Sequence, residues 1–354
     1  MKKKKFKLII LFIPHHHIGG AERVHLEIIK SLKHKPIVIF DSSDGSVLLE
    51  EYQKNAYCFF VTNQKRKKFV TYLIQIVSYF LPTTLFGCNS VFFYQILSKI
   101  NNSVTTIDLT HAFSFPVHGA EITSLKSIHL LDKRVVINNK TLEDYSLLYE
   151  KNNIDRIYLN RFKIIPNGIL IGEFISDIVL SRFNNFTIGF VGRNSNEKRP
   201  ELFFELKGAI DNLNVKVIGD NFNNFKEKYK EVKYFEGCNN PELIRKEFSE
   251  ISVLIVTSSR EGFPLVIMEA MELGIPVIST NVGSIFEHVK DDLNGYLAVD
   301  NSESEFVKFA YNKILLLSSN RKLYSRLAIN AREYAVNNFS IELFKEKYRS
   351  LFYD

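Results

Sequence analysis

At 354 residues the chain is longer than one hydrophobic core usually serves, which predicts two α/β domains of similar size. An apolar share of 45% and a charged share of 24% fit an ordinary globular protein and exclude a disordered one. The net charge of +7 favours anionic partners, whether phosphorylated small molecules, an acidic membrane surface or nucleic acid, without choosing among them.

The N-terminus, MKKKKFKLIILFIPHHHIGG, imitates a secretory signal and departs from one in detail. Its apolar run, Leu8 to Ile13, is short, no small-residue cleavage pattern follows, and Gly19-Gly20 opens directly into the amphipathic stretch AERVHLEIIKSLK. The segment therefore reads as the first strand of a Rossmann-like domain. Further strands are predicted at Pro36 to Phe40, Tyr57 to Val61, Val104 to Leu109, Arg134 to Ile137 and Phe162 to Ile165, with helical stretches between them. One stretch differs: Lys65-Arg66-Lys67-Lys68 leads into FVTYLIQIVSYFL, basic first and apolar on nearly all sides. It is either a buried helix with a basic cap or a helix lying in an anionic membrane surface.

A second strand series is predicted at Phe186 to Val191, Val215 to Ile218, Lys233 to Phe235, Val253 to Val256, Pro276 to Ser279 and Gly295 to Val299. Alternating strand and helix signals are the pattern of doubly wound parallel sheets, so two Rossmann-like domains are expected. The turn signal Pro166-Asn167-Gly168 places the joint between Gly168 and Asn185, giving domains 1–172 and 173–336. Residues 337–354, after a break near Asn337-Asn338, form a helix expected to pack back onto the first domain. No apolar run approaches the roughly 18 residues of a spanning helix. Cys58, Cys88 and Cys238 lie far apart without a C-x-x-C pair, which suits packing residues in a reducing cytoplasm.

The most informative segment is SSREGFPLVIMEAMELG, Ser258 to Gly274, between the strands Val253 to Val256 and Pro276 to Ser279. Pro264 is expected as the first helical residue, leaving Glu261 in the loop at the positive helix end and Glu269 about two turns in. One carboxylate can then reach the reacting end of a ligand and the other a ribose. The N–H groups of Phe263, Leu265 and Val266 can bind a diphosphate, with Pro264 removing one donor from the set.

Three more motifs accompany it: Gly19-Gly20-Ala21-Glu22-Arg23, Ile165-Pro166-Asn167-Gly168-Ile169, and Gly189 to Arg193 followed by Lys198-Arg199-Pro200. In this order and spacing they resemble the retaining glycosyltransferases of family 4, which have the GT-B fold, over nearly the whole chain. The resemblance implies an N-terminal domain that holds an acceptor and a C-terminal domain that holds a nucleoside-diphosphate sugar. It implies a donor set of Gly20, Arg193, Lys198, Glu261, Gly262, Phe263, Pro264, Leu265 and Glu269. The catalytic set implied is Glu261, His111, Arg193 and Lys198, with Gly19 and His17 on the acceptor side. His129 is the runner-up to His111, and a satisfied core histidine is the plain reading of either.

Arg193 and Lys198 lie between a strand's carboxyl end and the next helix start, where fixed cations can stabilise a departing diphosphate. No D-x-D occurs in the chain, so this pair is read in place of a metal, and no cofactor is expected. His15-His16-His17 makes a poor metal site, since consecutive residues do not converge as helical i, i+4 pairs do. EGFPLV resembles variants from bacterial enzymes that use UDP-linked sugars. The expected partners are a nucleotide sugar, a glycan or lipid-linked acceptor and the anionic inner face of a bacterial membrane, with assembly of surface polysaccharide as the setting. A nucleotide-sugar binding protein without catalysis, or an isomerase on the same fold, is the alternative. Nucleic-acid binding is disfavoured because the basic residues are dispersed and no binding motif is present.

Overall fold

The computed structural model describes residues 7–14, 20–42, 48–113, 119–210, 213–236, 240–300 and 302–354. They form two compact units, one of residues 1–168 with 342–354 and the other of residues 169–341.

In the first unit, β1 (Leu8–Ile13), β2 (Ile37–Phe40), β3 (Tyr57–Phe60), β4 (Thr83–Cys88), β5 (Thr105–Thr110), β6 (Lys133–Val136) and β7 (Phe162–Ile164) make one sheet in the order β3-β2-β1-β4-β5-β6-β7. Every described pairing is parallel, and the order reverses between β1 and β4. β4 is central and was not predicted. It is TTLFGC, buried along its whole length, and lacks the β-branched apolar run that identifies its neighbours. Gly87 is required there because a Cβ would lie 2.3 Å from the ring of Phe93.

The helix Ile341–Tyr353 completes this unit. Phe352 packs its ring 5.2 Å from that of Phe86 in β4, Arg349 Nε donates to the Ser31 carbonyl at 2.9 Å, and Lys7 Nζ donates to the Phe352 carbonyl at 2.8 Å. Within the sheet, Asp108 of β5 and Arg134 of β6 are register partners and form an ion pair buried from solvent.

In the second unit, β8 (Thr187–Val191), β9 (Asn214–Ile218), β10 (Lys233–Phe235), β11 (Val253–Val256), β12 (Val277–Ser279) and β13 (Gly295–Leu297) form a parallel sheet in the order β10-β9-β8-β11-β12-β13. Side chains alternate between two cores, as a strand covered on both faces requires. Ile188, Phe190, Val253, Ile255 and Ile278 enter one; Leu254, Val256 and Val277 enter the other. The order reverses between β8 and β11, so the loops leaving their carboxyl ends stand at a topological switch point, where ligands bind in open α/β sheets. The expected segments around Arg193 and Glu261 are those two loops.

Buried Glu272 anchors the start of this unit. Its carboxylate accepts from the Gly172 N–H at 2.9 Å, from Arg245 Nη2 at 2.9 Å and from Arg332 Nη1 at 2.6 Å. Two guanidinium groups offset the cost of burying that charge.

Candidate active site

The end of the loop after β8, residues 197–199, is stitched to the loop after β11. Ser259 N donates to the Glu197 carbonyl at 2.8 Å, Thr257 Oγ1 to the Lys198 carbonyl at 2.5 Å, and Arg199 Nε to the Thr257 carbonyl at 2.8 Å. Arg199 itself adopts a left-handed backbone, φ 44° and ψ 56°, before Pro200 opens the helix Pro200–Ala209. That conformation is costly for a residue with a side chain, and the guanidinium bonds to Thr257 and Ser258 hold it in place. Arg199 thereby ties the backbone next to Lys198 to the loop after β11.

There Lys198 Nζ lies 2.5 Å from Glu261 Oε1, and Ser258 Oγ donates to the same oxygen at 2.7 Å. Both charged side chains are largely buried, so each partly offsets the desolvation of the other. The structure thus brings together two of the predicted residues, and adds Ser258, which sequence reasoning missed. Its signal was its place three residues before Glu261, within reach across a single turn.

Arg193 is arranged differently. Its side chain is 67% exposed and its Nη2 lies 3.6 Å from Glu197, one helical turn ahead in sequence. It is a solvated cation on the same loop.

Gly283 braces the other side of Glu261. Its φ is +59°, and Ser284, following it, donates to the Gly262 carbonyl through N at 2.9 Å and through Oγ at 2.8 Å. The Glu261-Gly262 backbone is therefore held from both sides.

The helix that follows runs from Leu265 to Glu272, with Pro264 as its N-cap in an extended conformation. This corrects the expected placement of Pro264 as the first helical residue. As N-cap it still leaves the helix start one N–H short, and its carbonyl accepts from Ile267 N at 3.0 Å. The N–H groups of Leu265 and Val266 open the first turn, where an α-helix offers no carbonyl partner and the helix dipole favours an anion. Glu269 is half-buried and stands one turn into the helix, nearer its start than expected. The Phe263 ring is buried and packs 4.2 Å from the His288 ring and 5.5 Å from that of Phe339, leaving backbone as its offering to a ligand.

In the first unit, His111 follows β5 and its Nε2 lies 2.9 Å from Nε2 of His25, on the helix Gly20–Ser31. Burial pushes the His111 pKa down to about 4. Burial, then the charge of His111, holds His25 well below the ordinary imidazole value. The pair is therefore neutral at pH 7, one ring donating and the other accepting. His25 was missed, since it looks like any residue on the inner face of an amphipathic helix. His129, the runner-up, is exposed on the 3-10 helix Ser124–Leu130. Gly20 is the exposed first residue of its helix. His15, His16, His17, Gly19 and Cys238 lie outside the described residues. Among the described residues, no group of three or more His, Cys, Asp or Glu side chains is arranged to hold a metal ion.

Residues 173–334 match the family described as glycosyl transferases group 1. Over 352 residues the chain is 27% identical to an uncharacterized glycosyltransferase of Methanocaldococcus jannaschii, covering 93% of each chain. It is 25% identical over 291 residues to the UDP-Gal:alpha-D-GlcNAc-diphosphoundecaprenol alpha-1,3-galactosyltransferase of Escherichia coli, covering 73% of this chain and 72% of that one. Among solved structures, that of Anabaena Alr3699/HepE in complex with UDP superposes with a TM-score of 0.76 at 19% identity, covering 98% of this chain and 99% of that one. The likeness to the solved structure shows the fold, two parallel-sheet Rossmann-like domains of the GT-B kind.

Proposed function

We propose that this protein, with its GT-B fold, is a glycosyltransferase that moves a hexose from a UDP-sugar to a hydroxyl of a glycan or lipid-linked saccharide in surface polysaccharide assembly. In this reading it is a family 4 enzyme that retains the anomeric configuration and needs no metal. The observation that carries it is the Lys198–Glu261 pair at the sheet's switch point, beside the first turn of the helix Leu265–Glu272. A diphosphate and a sugar need this combination: an ammonium and helix N–H groups for the anion, and a carboxylate for hydroxyls.

In the proposed reaction the donor's bond between the anomeric carbon and the phosphate oxygen breaks, and its electron pair stays on that oxygen. Lys198, Arg193 and the first-turn N–H groups stabilise the charge that develops. The acceptor oxygen forms the new bond on the same face, and its proton passes to the departing phosphate oxygen. Glu261, released from Lys198 as the diphosphate takes that cation, accepts hydrogen bonds from the transferred sugar, while Glu269 accepts them from the ribose. His111, held neutral by burial, offers a hydrogen bond to the sugar without adding a charge. Gly20 contributes backbone to the donor in this reading, and the family resemblance assigns Gly19 and His17 to the acceptor.

UDP as the donor nucleotide draws support from the UDP complex of the Anabaena protein, and a lipid-linked acceptor from the diphosphoundecaprenol acceptor of the Escherichia coli galactosyltransferase. The test is nucleotide release from UDP-, GDP- and ADP-sugars, with and without EDTA, followed by the product's anomeric configuration by NMR. Release from a UDP-sugar that survives EDTA and gives a retained linkage is expected. Release from GDP- or ADP-sugars alone, or its loss in EDTA, contradicts the reading. Conversion of a UDP-sugar to an isomer without any acceptor identifies the isomerase instead.

A further inference from the structure

The helix Gln64–Phe80 presents most of its large apolar residues to solvent and only Thr71, Ile74 and Ser78 fully to the domain. Thr71, Ile74 and Ser78 are its buried residues; Thr71 Oγ1 donates to the Lys67 carbonyl and Ser78 Oγ to that of Gln75, so neither hydroxyl costs the core a partner. Phe69, Tyr72, Tyr79 and Phe80 are 60% to 78% exposed, and Leu73 and Ile76 are exposed as well. At roughly 100° per residue these six side chains fall within an arc of about 120°, opposite the buried face. The chain thus carries a full amphipathic stripe that points away from its own core, which decides against the buried-helix reading.

Strand β3 adds exposed aromatic residues to this unit. Tyr57 and Phe59 are exposed on the sheet's edge, and in register they neighbour Ile37 and Ile39 of β2. Ile37 and Ile39 pack in the same cluster as Ile74 and Val70 of the helix, so Tyr57 and Phe59 share the helix's side of the sheet. Tyr57 and Phe59 thus add two exposed rings on the side of the sheet that carries the helix, giving more exposed aromatic surface than isolated residues produce.

Charge indicates what covers it. Lys65, Arg66 and Lys68 are exposed in the first two turns, where the helix dipole disfavours cations, and the helix contains no acidic residue. Lys67 is used by the fold, with its Nζ 5.2 Å from the centroid of the Phe92 ring. Among the described residues no ion pair of the other three is recorded. An aromatic stripe flanked by unneutralised cations matches a sheet of anionic headgroups over acyl chains, whereas a second copy of the chain would bring the same cations against one another. Among the described residues no helix is long and apolar enough to cross a membrane. We propose that the outward face of Gln64–Phe80, with Tyr57 and Phe59, docks this unit on an anionic phospholipid bilayer, the rings at the acyl boundary and the cations among the phosphates.

Binding to vesicles needs no donor sugar, so this proposal and the transfer reaction fail separately. Co-sedimentation with vesicles of phosphatidylcholine plus phosphatidylglycerol is expected, with none on phosphatidylcholine alone. Replacing Lys65, Arg66 and Lys68 together by Ser is expected to weaken partitioning by at least about tenfold, from the worth of each cation near an anionic surface. Phe69→Ser, Tyr72→Ser and Ile76→Ser together are expected to do the same, with circular dichroism unchanged. The chain has no tryptophan, so Phe69→Trp and Tyr79→Trp each give a single probe, expected to be quenched by brominated lipid. Leu147→Trp, at an exposed position outside the patch, is expected not to be. Equal sedimentation of the wild type and both triple variants, or absence of quenching at positions 69 and 79, overturns the proposal. So does an oligomer that the apolar variant dissolves while the wild type ignores vesicles.

Discussion

Gly283 and Glu261 are in backbone contact so close that a Cβ on Gly283 would lie 1.9 Å from the Glu261 carbonyl oxygen. The approach fixes the loop that carries the Glu261 carboxylate, which links a glycine far along the sequence to the proposed chemistry.

Gly283→Ala is therefore expected to displace Glu261. Its positive φ costs about 1–2 kcal/mol for any residue with a Cβ, and relief of the clash moves the 261–262 backbone. Sugar transfer is expected to fall much further than the melting temperature. Gly208→Ala is the contrasting control: nothing lies within 4 Å of its Cβ, and it stands in the helix Pro200–Ala209. That variant is expected to gain up to about 0.5–1 kcal/mol in denaturant unfolding and keep its activity.

Arg134→Leu is expected to destabilise the first unit by about 3–5 kcal/mol, since it leaves Asp108 buried without its ion-pair partner. Tyr94 OH, which donates to Asp108 at 2.9 Å, cannot neutralise the charge. The double variant Arg134→Leu with Asp108→Leu is expected to recover part of the loss. Urea unfolding curves of the three proteins measure it, and a double variant no better than the single contradicts the electrostatic explanation.

The His25–His111 pair predicts the pH dependence of stability. Both imidazoles have pKa values lowered in the folded state, so the unfolded chain binds more protons as pH falls below about 6.5, the ordinary imidazole value. Stability due to the pair is level above about pH 7 and declines on acidification until His111 itself protonates near 4. The slope is at most about 1.4 kcal/mol per pH unit for each imidazole. Unfolding measured at neutral and mildly acidic pH should show a smaller acid loss in a variant with both histidines replaced by Leu. An equal loss in the two proteins removes the pair from the account.

Most strands were legible because their apolar runs are short, β-branched and bounded by turns. Val253–Val256 is an example: four buried residues that alternate between two cores. β4 escaped because Thr83, Thr84 and Gly87 dilute its apolar signal, and because the run before it merges with it across Pro82. The Gln64–Phe80 helix was visible as a helix, but apolarity on two sides cannot say which side the domain uses. At the candidate site the charged residues were legible from their motifs. Their partners were not: Lys198 meets Glu261 across 63 positions, and His25 meets His111 across 86. Such pairings follow from strand order, in which β8 neighbours β11, and no local pattern encodes it.

The central claim is that Lys198, beside Glu261, holds the diphosphate of the donor, and calorimetric titration of UDP into the wild type and Lys198→Ala tests it most directly. A charge-assisted hydrogen bond contributes about 1.5–3 kcal/mol, so the dissociation constant is expected to rise about 10- to 100-fold in the variant. An unchanged dissociation constant in a folded Lys198→Ala protein contradicts the claim.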